Sequence, residues 1–266
     1  MKKVSIIIPA YNEEKRIAKT LKDYINFFKK FEKKREVFFE IIVVLNACTD
    51  NTLEVVNKVK KELKEKNLII LNFRQAGKGF AIIQGFKDAL KRDSDLIGFI
   101  DADGATPPEA FYDLIKNIGN NGGIIANRWD KKSKIRVKQS LLRRIMSRGY
   151  NFIVRSLFLF PYRDTQCGAK VFKREALEKI LPKLGESEWG FDVELLFHAK
   201  KVGVKIKSIP TIWFDQKESK INIKKTPVKM FLSAIRLRLL HSPFKFILRA
   251  WGRIPLGSKI YAYLKK

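Results

Sequence analysis

The chain has 266 residues, room for one large domain or a domain with an appendage, and its 45% hydrophobic content excludes a globally disordered protein. Lys and Arg number 55 against 27 Asp and Glu, a net charge of +28 that draws anionic partners: nucleic acid, anionic lipid or a phosphorylated substrate. The two cysteines, Cys48 and Cys167, have no CxxC spacing, which argues against a disulfide framework and suits a reducing compartment.

The start, MKKVSIIIPAYNEE, is basic and then apolar. The apolar run is too short for a secretory leader, and Asn12, Glu13 and Glu14 interrupt it, so residues 4–8 read as a first β-strand. Short apolar runs at 40–45, 68–71 and 96–100 read as three more strands. The Lys-rich segments 13–30, 51–66 and 78–91 between them are long enough for helices. This alternation predicts an α/β fold with a mostly parallel, Rossmann-like central sheet flanked by helices. Such sheets bind ligands beyond the carboxyl ends of their strands. The polar clusters at 9–13, 46–50, 74–78 and 101–103 each follow a predicted strand, so all four converge on one edge.

Another strand is expected to begin within 121–127, after which the character changes. Residues 131–163 contain ten basic residues and no acidic one. Ser140, Arg144, Ser147, Arg148, Asn151 and Arg155 recur at helical spacing opposite Leu142, Ile145, Met146, Tyr150, Ile153, Val154 and Leu157, which predicts an amphipathic helix. The tail, 223–266, carries eleven basic residues and no acid, with apolar stretches broken by Pro227, Pro243 and Pro255. The expected division is a nucleotide-binding domain over 1–222 and a basic amphipathic, membrane-interface tail over 223–266. No run reaches the roughly 18 to 20 apolar residues that span a bilayer, so membrane contact is expected to be peripheral, at the cytoplasmic face.

Asp101 and Asp103, in FIDADGATPP, place two carboxylates one residue apart directly after a strand. Hard oxygen ligands in that pattern suit Mg²⁺ or Mn²⁺, which could neutralise a diphosphate leaving group. The alternative is a solvated pair capping the next helix. The buried strand before the pair and the Thr106-Pro107-Pro108 helix entry after it favour metal. Gly77-Lys78-Gly79 lacks the full phosphate-loop pattern, so Lys78 reads equally as a solvated turn lysine or as a phosphate contact at a helix N-terminus. Asn46, Thr49 and Asp50 read either as a helix cap or as hydrogen-bonding groups for a base or ribose. In WGFDVE, Asp192 and Glu194 lie two apart, so at a helix start one can face a cleft while the other caps. Arg128, Arg144, Arg148 and Lys220 are candidate phosphate clamps, each weighed against an ordinary solvated cation. His198 and His241 lack a zinc-ligand constellation and read as non-catalytic.

The ordered series SIIIPAYNEEKRI, VVLNACTDNT, FRQAGKGFAIIQGF, DADGATPP, DTQCGAKVF, WGFDVELLFHAKKVG and IPTIWFDQKESK covers roughly residues 3–220. It resembles the family-2 glycosyltransferases of the GT-A fold, particularly those that act on polyprenyl phosphates. DADGAT, DTQCG and FDVELL are most similar to the dolichyl-phosphate β-glucosyltransferase group, and the mannosyltransferase group is also similar. The resemblance implies inverting transfer of a hexose from UDP-glucose, or alternatively GDP-mannose, to dolichyl or polyprenyl phosphate, with Mg²⁺ or Mn²⁺ as cofactor. It implies that Pro9, Ala10, Tyr11 and Glu13 line the nucleotide pocket, that Asn46 meets the base, and that Asp101, Ala102 and Asp103 bracket metal and diphosphate. Arg128, Arg148 and Lys220 would approach donor or acceptor phosphates, and Asp192 and Glu194 would form an acidic helix near the acceptor. The family often carries two aspartates where this chain has Leu45 and Asn46, and an Asn amide offers a donor that Asp lacks.

Three other readings differ in mechanism. With a sugar hydroxyl or another lipid as acceptor, Asp192 or Glu194 would become the natural base. A nucleic-acid-binding protein explains the charge but not the polar clusters at four strand ends, and zinc-finger and RNA-recognition signatures are missing. A nucleotidyltransferase would share the metal but release pyrophosphate.

Overall fold

The computed structural model describes residues 1–136, 141–185, 190–214 and 226–243. The elements in chain order are β1 (Lys2–Ala10), α1 (Ile17–Lys33), β2 (Val37–Asn46), α2 (Thr52–Glu62), β3 (Leu68–Phe73), α3 (Lys78–Lys91), β4 (Leu96–Phe99) and α4 (Pro108–Asn117). They continue with β5 (Gly123–Asn127), β6 (Lys134–Ile135), α5 (Leu141–Phe158), β7 (Lys170–Lys173), α6 (Arg174–Ile180), a 3₁₀ turn (Leu181–Lys183), α7 (Phe191–Lys201), β8 (Ile206–Pro210), β9 (Ile212–Trp213) and α8 (Thr226–Leu240).

Seven strands form one sheet in the order β3-β2-β1-β4-β7-β5-β8. β1 and β2 are nearly continuous runs of Ile, Val, Leu and Phe because helices cover both of their faces. They pair in parallel with Ile6 opposite Ile41, and β4 joins the other side of β1 with Ile7 opposite Phe99. β7 is the exception, running antiparallel between β4 and β5. β6 and β9 form a separate two-stranded ribbon.

The core has three parts. Tyr24, Phe28, Phe39 and Phe111 fill one face of the sheet under α1 and α4. Phe86, Phe99, Phe172 and Phe191 fill the other, under α3 and α7. Tyr150, Val154 and Phe158 of α5 meet Val193 and Leu196 of α7 and Ala234 of α8 in a third cluster.

Helix α5 departs from the expected two-faced pattern. Tyr150 and Val154 are buried, yet Ile145 and Ile153 from the same apolar stripe are exposed, together with Phe152. Asn151, from the expected polar face, is buried, and its Oδ1 accepts from the Thr165 N–H at 3.0 Å and the Thr165 hydroxyl at 2.8 Å. The groove offered by α7 and α8 is narrower than the apolar stripe, and Asn151 is tolerated inside because its amide is satisfied. The start of the basic tail, α8, packs on α5 and α7 through Met230, Ala234 and Leu237, with Phe231 and Leu240 exposed. Residues 244–266, with the remaining expected interfacial segments, lie outside the described residues. Among the described residues no helix is long and apolar enough to cross a membrane.

Candidate active site

The carboxyl ends of β1 to β4 open on one edge. At the exits of β1 and β2 the backbone turns through left-handed residues, Asn12 (φ 54°) and Ala47 (φ 52°). The two turns are tied together: Asn12 Oδ1 accepts from the Thr49 N–H at 2.8 Å, and the Thr52 hydroxyl accepts from the Glu13 N–H at 2.8 Å. The Glu13 carboxylate is held by a two-pronged ion pair with Arg16 at 2.8 and 2.7 Å. Asn46 is buried. With its amide donating to the Ala10 carbonyl at 2.8 Å and accepting from the Gly77 N–H at 3.1 Å, it staples β1 to the loop entering α3. Gly77, at φ 126°, makes the turn that places Lys78 at the first position of α3. Tyr11 is half exposed beside these turns.

Lys78 reaches across to Asp101, Nζ to Oδ1 2.5 Å. Burial works to raise the Asp101 carboxyl, but Lys78, assisted by Lys170 and Arg128, outweighs it and holds the pKa below the usual carboxylate range. Asp103 moves the opposite way, raised by burial and by the Asp101 charge, while its Oδ1 accepts from the Ala105 N–H at 3.0 Å.

Two further ion pairs stand on the same edge. Lys170 opens β7 fully buried; its ammonium meets Asp192 Oδ1 at 2.5 Å and donates to the Cys167 carbonyl at 2.6 Å. Arg128, just past β5, grips the buried Asp164 with Nε at 2.8 Å and Nη2 at 3.0 Å, while its own backbone N–H donates to the same carboxylate at 3.0 Å. The Arg128 guanidinium also lies 4.9 Å from the centre of the Trp213 ring. Beyond it lies a cleft of about 260 Å³ lined by Arg128, Trp129, Ile135, Arg144, Ser147, Arg148 and Trp213.

The expected acidic pair on α7 divides. Asp192 turns to Lys170, whereas Glu194 is buried and accepts from the Gly185 N–H at 2.6 Å. Residues two apart on a helix point about 200° apart, so they cannot share a target. Lys220 and Trp189 lie outside the described residues. Cys167 is no nucleophile, since burial pushes its thiol up to about 12. His198 is buried against Phe197 and His241, and burial lowers its pKa to about 4. Sequence reasoning missed Asp164 and Lys170 as site residues. The signal was a lysine opening a short strand just before two apolar residues, four residues after Gln166, in the segment DTQCGAKVF.

Residues 5–181 match the family described as glycosyl transferase family 2. The chain belongs to that family. A dolichyl-phosphate β-glucosyltransferase of Dictyostelium discoideum is 32% identical over 256 residues, spanning 93% of this chain and 76% of that protein. One from Trichomonas vaginalis is 34% identical over 246 residues, spanning 90% and 73%, and the human protein of the same name is 32% identical over 229 residues, spanning 83% and 70%. Glucosyl-3-phosphoglycerate synthase from Mycobacterium tuberculosis, solved in complex with Mn²⁺, UDP and phosphoglyceric acid, superposes with a TM-score of 0.63 over 90% of this chain and 78% of that one. At 16% identity this is a likeness of fold, and with the sheet order it bears out a GT-A-like architecture for this family-2 chain.

The residues present suit a divalent cation. Asp101 and Asp103 place two carboxylates at one strand exit; burial first and then the Asp101 charge raise Asp103, and a cation would offset both. Among the described residues no group of three or more His, Cys, Asp or Glu stands together, so an ion here would draw further ligands from phosphate and water, the habit of Mg²⁺ and Mn²⁺.

Proposed function

We propose that this family-2 chain moves a hexose, with inversion, from UDP-glucose to dolichyl or another polyprenyl phosphate at a membrane surface. The observation that carries this reading is the pairing of the site's acids other than Asp103, which is assigned to the metal. Asp101 is engaged by Lys78, Asp164 by Arg128 and Asp192 by Lys170, and Glu194 faces the Gly185 amide. Carboxylates so engaged are poorly placed to take a proton from a hydroxyl. A phosphate monoester is already ionised near neutral pH and needs no base. The similarity to dolichyl-phosphate β-glucosyltransferases supports the same acceptor.

In this mechanism Pro9, Ala10, Tyr11, Glu13 and Asn46 form the wall for the nucleoside, and Lys78 stands at the diphosphate. Asp101 and Asp103, either side of Ala102, would hold Mg²⁺ or Mn²⁺, which would supply positive charge to neutralise the departing diphosphate. Arg128, Arg144 and Arg148 take the acceptor phosphate, with Lys220 contributing from the following segment. One ionised acceptor oxygen attacks the anomeric carbon from the face opposite the leaving group. The bond from that carbon to the β-phosphate oxygen breaks, and the nucleoside diphosphate leaves with the electron pair. The protein's main contributions are positioning and fixed positive charge. The exposed Ile145, Phe152, Ile153 and Leu159, in and just past α5 with its arginines, rest on anionic lipid at the cytoplasmic face, and the basic tail 223–266 is assigned the same role from its sequence.

The test is a product assay with Mn²⁺ or Mg²⁺, polyprenyl phosphate and a panel of UDP- and GDP-sugars, run beside Asp103→Ala checked for folding. The expected result is a metal-dependent glycosyl lipid from one donor, lost in the variant. Donor hydrolysis or transfer to a free sugar, without glycosyl lipid, would overturn the acceptor.

A further inference from the structure

A second cavity, of about 320 Å³, lies on the far side of Arg148 from the acceptor cleft. It is lined by Trp129, Arg148, Asn151, Phe152, Arg155 and Arg163. Among the described residues it shares only Trp129 and Arg148 with the cleft, and these two stack, guanidinium to ring centre 5.4 Å, as the partition between them.

We propose that this second cavity binds the phosphate headgroup of a bilayer phospholipid, gripped by Arg155 and Arg163 with Arg148 at the shared wall. The reading of the acceptor as a lipid enters only in choosing a lipid over a free phosphate as the source. Arg16, Arg92, Arg128 and Arg174 all have carboxylate partners, but Arg148, Arg155 and Arg163 have none among the described residues. The nearest acid in sequence, Asp164, is committed to Arg128. Three like charges thus converge without internal compensation, an arrangement that an anion relieves. Arg155 Nε is buried and has no acceptor, while Asn151 cannot serve, because its Oδ1 takes Thr165 and its Nδ2 donates to the Ser147 carbonyl at 3.1 Å. Phosphate oxygens match the fork of an arginine, accepting two parallel N–H bonds.

The surroundings identify the lipid as the source. Ile145, Arg148, Phe152 and Arg155 follow one strip of α5 at spacings of three and four, and Leu159 stands just past its end, in a left-handed turn. Ile145 is 59% exposed, Phe152 69% and Leu159 76%. Alternating cationic and apolar side chains along one helical strip suit the depth where headgroups give way to acyl chains. A free phosphate accounts for the arginines but not for the apolar residues between them.

The experiment is flotation of the full chain with phosphatidylcholine vesicles carrying phosphatidylglycerol, without polyprenyl phosphate or nucleotide sugar. Arg155→Gln/Arg163→Gln should lower partition about thirtyfold, given the usual membrane attraction of two basic residues. Lys58→Gln/Lys61→Gln, which removes equal charge from exposed positions on α2, should change it less than about twofold. Equal losses in the two pairs would overturn the proposal, as would displacement of the wild-type chain by millimolar inorganic phosphate. Transfer to a detergent-solubilised acceptor should survive in Arg155→Gln/Arg163→Gln; its loss there would place these arginines in the reaction site instead. If the wild-type chain transfers nothing, the acceptor reading fails while the flotation result still decides the headgroup site. Arg163→Gln alone, at an exposed position, repeats the comparison should the double variant fold poorly.

Discussion

A β-carbon at position 168 would lie 2.0 Å from Oδ2 of Asp101, so the loop entering β7 presses bare backbone against the carboxylate at the exit of β4. Gly168→Ala must displace one or the other. A shift of about 1 Å at a reacting centre costs on the order of a hundredfold in rate. We expect kcat to fall by about that factor while the fold persists by circular dichroism. An unchanged kcat would show that the contact does not place Asp101.

Arg128 and Asp164 act as one unit. Arg128→Lys loses the two-pronged grip and the stack on Trp213, and Asp164→Asn leaves the guanidinium without its counter-charge. Each single change should lower transfer about tenfold or more, and the double variant should be no worse than the poorer single. Multiplicative losses in the double-mutant cycle would show that the two residues work separately.

Lys170→Met strands the Asp192 carboxylate beside an apolar side chain. Breaking a buried pair costs about 3–5 kcal/mol, whereas replacing both partners can be nearly neutral. Urea unfolding should therefore find Lys170→Met much less stable than Lys170→Met/Asp192→Leu. Equal stabilities would mean that the pair contributes no such coupling.

His198 sets a pH limit on stability. Its folded pKa of about 4 lies below the ordinary 6.5, owing to burial, then His241, Lys201 and Lys183. The unfolded chain therefore binds a proton that the folded chain refuses. This contribution is fully present above about 6.5 and is lost as pH falls towards about 4. His241, also lowered by burial and Lys201, adds in the same direction. The drop in urea midpoint between pH 7 and pH 5 should be smaller in His198→Phe than in the wild-type chain.

The four parallel strand ends were readable because each strand is a mostly apolar run followed closely by polar residues. The expected helix 78–91 coincides with α3, while 13–30 is observed as Ile17–Lys33, since the residues after β1 are drawn into the turn tied to Thr49 and Thr52. The place of β7 was not readable. Four residues, KVFK, carry no mark of which strands they will separate, and the pairing is decided by Val171 and Phe172 packing between distant elements. Lys170 and Asp164 escaped notice for a related reason: each is defined by a partner far away in sequence. The exposed Ile145 and Ile153 show the limit of periodicity, which gives the width of an apolar stripe but not that of the groove receiving it.

Because β7 runs against its neighbours, the chain leaves the sheet after β5 and returns before β7 at the same edge, and the Arg128–Asp164 pair closes that excursion. The segment between these two residues, α5 included, is thus clipped at its base, and with Arg128 it supplies every described wall residue of both cavities except Trp213.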